Sequence, residues 1–162
     1  MVAVDYFGVS VENIGDLDGD GVNDLAVGAF GDDAVHIIFM KTDGTPKSTA
    51  KIDDSSTDLT ALNDGEYFGW SVANMGDRDG WDGEDGIVLA VGATHDNTGG
   101  SDRGAVHIIF MNTDGTVDST EKIDNTTTSL GLVNDDRFGW SVENIGDLNN
   151  DGVNDLAVGA VM

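Results

Sequence analysis

One acidic loop occurs three times in the chain. It reads Asp16-Leu17-Asp18-Gly19-Asp20-Gly21-Val22-Asn23-Asp24 near the start and Asp147-Leu148-Asn149-Asn150-Asp151-Gly152-Val153-Asn154-Asp155 near the end. A distorted relative, Asp77-Arg78-Asp79-Gly80-Trp81-Asp82-Gly83-Glu84-Asp85, lies between them. In the first and last copies side-chain oxygens stand at loop positions 1, 3, 5 and 9, and position 6 is a glycine that lets the backbone turn sharply. Hard oxygen donors gathered at fixed spacing suit a hard cation, and Ca²⁺ is the first candidate.

The loop belongs to a longer repeat. Phe7-Gly8, Phe68-Gly69 and Phe138-Gly139 open three copies, and residues 7–29 match residues 138–160 at 20 of 23 positions. Residues 34–53 match residues 105–124 at 16 of 20. Each full copy predicts four short strands: Tyr6 to Ile14, Asp24 to Phe30, Ala34 to Met40 and Thr49 to Asp53 in the first. The second copy predicts Phe68 to Met75, Ile87 to Ala93, Ala105 to Met111 and Thr120 to Asp124, and the third stops after its second strand. Asp43-Gly44 and Asp114-Gly115 are the turn dipeptides between third and fourth strands. No useful stretch has helical periodicity. Copy two carries three extra residues in its Asp loop and seven more at Thr94 to Arg103, so length varies only in loops.

Tandem four-stranded units are the signature of β-propeller blades, whose sheets bury little alone and must stack. The expected fold is therefore all-β, with about two and a half blades of four antiparallel strands: 1–60, 61–131 with longer loops, and a half blade at 132–162. Trp70 and Trp140 share one strand position, filled by Val9 in copy one, and read as packing between blades.

Phe-Gly, an Asp loop and then Val-Gly-Ala, in that order three times, resembles the FG-GAP repeat of integrin α-subunit β-propellers. The elements are Phe7-Gly8 with Val27-Gly28-Ala29, Phe68-Gly69 with Val91-Gly92-Ala93, and Phe138-Gly139 with Val158-Gly159-Ala160. The proline that closes the family motif is replaced by Phe30, Thr94 and Val161. The resemblance implies Ca²⁺ in the rim loops, held in copy one by Asp16, Asp18, Asp20, Asp24 and the carbonyl of Val22. In copy three the implied ligands are Asp147, Asn149, Asp151, Asp155 and the carbonyl of Val153. Copy two departs: Asp77 and Asp79 keep positions 1 and 3, Trp81 interrupts, and Asp82 and Asp85 are the candidates to complete the cage. An EF-hand is disfavoured, because the twelfth loop residue is Val27, Val88 or Val158 rather than a bidentate glutamate.

A formal charge of -24 makes nucleic acid and anionic membrane surfaces poor partners. The chain has no cysteine, so disulfides are excluded and metal can serve as the staple. No apolar stretch approaches the roughly 20 residues of a membrane span. Met1-Val2-Ala3-Val4 carries no leader pattern, so a secreted protein is expected here as a mature piece or excerpt. No catalytic constellation stands out: His36 and His107 are equivalent strand residues, and His95 is alone in the inserted loop. Asn125-Thr126-Thr127 fits an N-glycosylation triplet.

The expectation is a non-catalytic, extracellular, calcium-stabilised repeat module with a structural or adhesive role. Two and a half blades do not close a ring, which leaves an excerpt of a longer propeller, a ring of several copies, or a filament. Self-assembly through blade faces is the leading expectation, because the chain begins and ends in nearly the same module. The alternative is a ligand-binding propeller fragment of an integrin-like adhesion receptor or lectin, with a protein or glycan ligand.

Overall fold

The computed structural model describes residues 4–57, 59, 62–78, 85–127 and 129–162. It contains ten strands: β1 (Val11–Gly15), β2 (Asp24–Ala29), β3 (Ala34–Met40), β4 (Pro46–Ile52), β5 (Phe68–Asp77), β6 (Ile87–Ala93), β7 (Ala105–Met111), β8 (Val117–Ile123), β9 (Ser141–Gly146) and β10 (Asp155–Gly159). They form antiparallel sheets β1-β2-β3-β4 and β5-β6-β7-β8 and a β9-β10 pair, and none of the sheets closes on itself. The all-β blade architecture is as the sequence predicts.

Strand alternation explains how the sheets stack. On β6, Ile87, Leu89, Val91 and Ala93 join a core with Ile14, Leu17, Ile37 and Phe39 of the first sheet. The intervening Val88 and Ala90 join a second core with Phe138 and Val142 of the third copy. Successive side chains point to opposite faces, so a strand sandwiched between two neighbours is apolar throughout, as Ile87–Ala93 is.

The Phe-Gly dipeptides sit in a backbone reversal, which precedes the first strand in copies one and three and lies within the start of β5 in copy two. Tyr6, Tyr67 and Arg137 have φ of 52°, 59° and 51°, and Gly8, Gly69 and Gly139 have 91°, 89° and 91°. Val9, Trp70 and Trp140 each donate their N–H back to the residue before phenylalanine, at 3.2 Å. In copy one this turn delays the first strand to Val11, later than the sequence predicts; in copy two β5 begins at Phe68 as predicted, with a register irregularity between Phe68 and Ser71. It also drives the phenylalanine toward the preceding sheet. Phe68 is 0% exposed, whereas Phe7, with no preceding sheet here, is 58% exposed.

Other boundaries shift for local reasons. The fourth strands begin at Pro46 and Val117, because the ladder resumes directly after the Asp-Gly turn through an irregularity at Met40 and Met111. Pro46 is tolerated on an edge strand, where its missing N–H costs no ladder bond. At the other end Asp53 and Asp124 leave the strand and accept hydrogen bonds from Ser55 and Thr126. β2 ends at Ala29, and Phe30–Asp32 turn as a short 3-10 helix.

Main-chain atoms carry much of each junction. The Asn74 amide donates to the Asn13 carbonyl at 3.2 Å, and the Asn144 amide to the Asn74 carbonyl at 2.9 Å. Trp70 packs between Phe30 of the first copy and Trp140 of the third, with ring centroids 4.7 and 4.6 Å apart, which is the packing role expected. The insertion of copy two is tied to copy three through the Phe138 N–H, which donates to the Arg103 carbonyl at 2.8 Å.

Candidate metal centre

The first Asp loop is folded by its own carboxylates. Asp16 Oδ1 accepts the Asp20 N–H at 2.9 Å, and Asp16 Oδ2 accepts the Gly21 N–H at 2.7 Å. Asp20 Oδ1 accepts the Val22 N–H at 3.0 Å. Asp24, wholly buried at the start of β2, accepts the Leu17 N–H at 3.0 Å and the Met40 N–H at 2.9 Å. These bonds bring carboxylate oxygens of Asp16, Asp18 and Asp24 within 4.8 Å of one another, the one such acidic trio among the described residues. Asp18 Oδ1 is buried with no hydrogen-bond partner.

Asp20 is turned to a different use. The Lys47 ammonium, from β4, donates to Asp18 Oδ2 at 2.7 Å and to Asp20 Oδ2 at 2.8 Å. Asp18 foremost, with Asp20, raises the affinity of that amine for its proton, and the Lys47 bond holds Asp20 below the ordinary carboxylate range. A cation already stands beside this donor set, as an ammonium.

Copy three repeats the web. Asp147 accepts the N–H groups of Asp151 (3.1 Å) and Gly152 (2.9 Å), and Asp155 accepts that of Leu148 at 2.8 Å. Asp151 accepts the Val153 N–H at 2.9 Å, which holds its carboxyl below the usual range, with help from the Asn149 amide at 2.9 Å. The amide comes from Asn149, which stands at the repeat position of Asp18.

Copy two differs at the described residues that flank its loop. Asp79 and Asp82 lie outside the described residues, as does Trp81. Asp77 ends β5 opposite Ile87, and Asp85 lines a groove of about 500 Å³ that also touches Asp16 and Asp18. The strand register places Val88 opposite Gly76, where the first sheet places Asp24 opposite Gly15. Val88 is a core residue, so the three extra loop residues move Asp85 out of the register that Asp24 holds. Arg78, buried, donates to Asp118 at 2.6 Å and to Asn112 at 3.4 Å. Asp118 is the repeat equivalent of Lys47, and Arg78 that of Leu17. A loop-to-strand ion pair is thus kept with its polarity reversed, its loop member moved from Asp18 and Asp20 to the Leu17 position. Lys47, Arg78 and Asp118 are absent from the candidates that motif spacing supplies, although aligning copies one and two exposes the exchange.

The donor set fits a hard divalent ion. It is made of carboxylates alone, it includes one buried oxygen without a partner, and it attracts an ammonium. Outside the loops, the aligned histidines differ. His107 is buried, and burial lowers its pKa to about 4, whereas His36 is half-buried and His95 packs tilted against Tyr67 with centroids 4.1 Å apart.

Known proteins sharing this pattern are integrin α subunits. The chain is 31% identical to integrin alpha-4 of Xenopus laevis over 97% of its own length and 14% of that protein's. It is 35% identical to integrin alpha-PS2 of Drosophila melanogaster over 96% of its length, and 40% identical to integrin alpha-PS5 of that fly over 59%. This is an integrin α-like FG-GAP repeat region. No family model matches the chain. The region spans 10% of integrin alpha-PS2 and 9% of integrin alpha-PS5, so it corresponds to a small part of each relative. Among the described residues no helix is long and apolar enough to cross a membrane.

Proposed function

We propose that this FG-GAP region forms blades in the extracellular propeller of an integrin-like adhesion receptor, with Ca²⁺ held in its first and third Asp loops. The observation that carries the reading is the convergence of Asp16, Asp18 and Asp24 around a buried, unpartnered Asp18 oxygen, in a chain whose relatives are integrin α subunits. The blades are 1–60 and 61–131, with a half blade at 132–162. The role is non-catalytic, and the whole propeller presents its rim to a protein or glycan ligand. The receptor reading has better support than the self-assembling module, because the relatives carry these repeats inside far longer chains.

The loop residues do the stabilising work. Asp16, Asp18, Asp20, Asp24 and the Val22 carbonyl hold the ion in copy one; Asp147, Asn149, Asp151, Asp155 and the Val153 carbonyl hold it in copy three. Bound Ca²⁺ supplies positive charge that satisfies 6–8 oxygens at once. Asp24 and Asp155 anchor the loop to β2 and β10, while Asp16 and Asp147 fix its turn. Arg78 fills the corresponding need in copy two.

Thermal melting with Ca²⁺ and with EDTA tests the reading. At roughly 100 times its Kd, one bound ion stabilises by about 2.7 kcal/mol. For a chain of this length that raises Tm by roughly 5–10 °C per loop. Superimposable curves in both conditions overturn it.

A further inference from the structure

The geometry points to Lys47 as a tethered competitor for the cation in the first Asp loop, displaced outward when the ion enters; this rests on the calcium reading above. Two ligand carboxylates, Asp18 and Asp20, are the partners of the Lys47 ammonium, at 2.7 and 2.8 Å. The ammonium sits on Oδ2 of both carboxylates while Asp18 Oδ1 is without a partner, and a metal ion on the same carboxylates places two positive charges close enough to repel. The Lys47 side chain is 44% exposed, so it can swing into solvent without disturbing packing.

The other loops supply the contrast. In copy two the same contact is a buried arginine on Asp118, a cation that is fixed in the fold. In copy three Asp151 is held by the neutral Asn149 amide. Occupancy of the first loop by the ion then requires Lys47 to leave its two carboxylates.

Calorimetric titration with CaCl₂ tests this in the full chain carrying Asp147→Ala and Asp151→Ala, which silence the third loop. Lys47→Met is compared with that parent and with Lys41→Met, which removes the same charge from the neighbouring turn. Lys47→Met is expected to bind roughly tenfold more tightly, and Lys41→Met to match the parent. Equal affinity of Lys47→Met and parent, or equal tightening by Lys41→Met, overturns the competitor and leaves the calcium reading standing. No binding by either parent or Lys47→Met overturns both. Acetylation by acetic anhydride gives an independent readout: Ca²⁺ should speed modification of Lys47, and an unchanged or slower rate rejects displacement.

Discussion

Gly28 lies so close to Gly69 that a β-carbon on Gly28 would stand 2.0 Å from the Gly69 carbonyl oxygen. Gly92 and Gly139 repeat the relationship at 2.0 Å. The two dipeptides of the signature are thus halves of one contact: the glycine of Val-Gly-Ala in one copy meets the glycine of Phe-Gly in the next. Gly69 is constrained from its own side too, since its β-carbon would lie 2.2 Å from the Ala34 carbonyl oxygen.

Two alanine substitutions separate backbone strain from junction sterics. Gly8 and Gly69 share a left-handed φ, but a β-carbon at Gly8 meets nothing within 4 Å. Gly8→Ala should cost about 1–2 kcal/mol. Gly69→Ala should cost about 3–4 kcal/mol, because main-chain overlap adds to the strain. Urea unfolding measures both; equal losses would show that the junction yields.

Leu17 and Leu148 occupy the same loop position, yet Leu17 is 3% exposed and Leu148 is 69% exposed. A second sheet covers the first of them. Leu17→Ala should therefore destabilise by about 3 kcal/mol and Leu148→Ala by less than about 0.5 kcal/mol. The same denaturation experiment distinguishes them, and comparable losses would contradict the stacking order.

Asp24 has a structural task apart from any ion. Removing its carboxylate leaves the Leu17 and Met40 N–H groups without their acceptor. In EDTA, Asp24→Ala should cost about 3 kcal/mol, and Asp24→Asn less, since the amide keeps one acceptor. Wild-type stability of Asp24→Ala in EDTA would place the residue among the ligands alone.

His107 gives the fold an acid-sensitive point. Its folded pKa, near 4, lies below the ordinary value of 6.5, so the unfolded chain takes up the proton first. Stability from this group is complete above about pH 6.5 and declines as pH falls toward 4. Glu66, held above the carboxylate range by burial, contributes with the opposite sign. The Tm of His107→Gln should fall less steeply than wild type between pH 6.5 and 4; parallel profiles would refute the assignment.

Much of the architecture is legible in the chain because it repeats. The run Ile87–Ala93 reads as a doubly covered strand, and the Asp-Gly turns mark the hairpins. The strand start at Phe68 is legible, but that of copy one is not, because Phe7-Gly8 looks extended until the positive φ of Tyr6 and Gly8 is seen. The candidate site divides likewise. Asp16, Asp18 and Asp24 converge, while Asp20, the fourth acid of the same spacing, pairs with Lys47. Counting nine residues from Asp77 points to Asp85, but the strand ladder puts Val88 in the Asp24 register. Lys47 enters from a different strand, so no motif within the loop announces it.

At each Gly-to-Gly seam the interval between neighbouring sheets is set by main-chain atoms, which are common to every amino acid. Side chains along the edge can therefore reverse charge, as Lys47 and Asp118 do, and connections can lengthen, as at Thr94 to Arg103, while the pitch of the stack stays the same. Such a scaffold separates the part that must be conserved in shape from the part free to acquire new recognition.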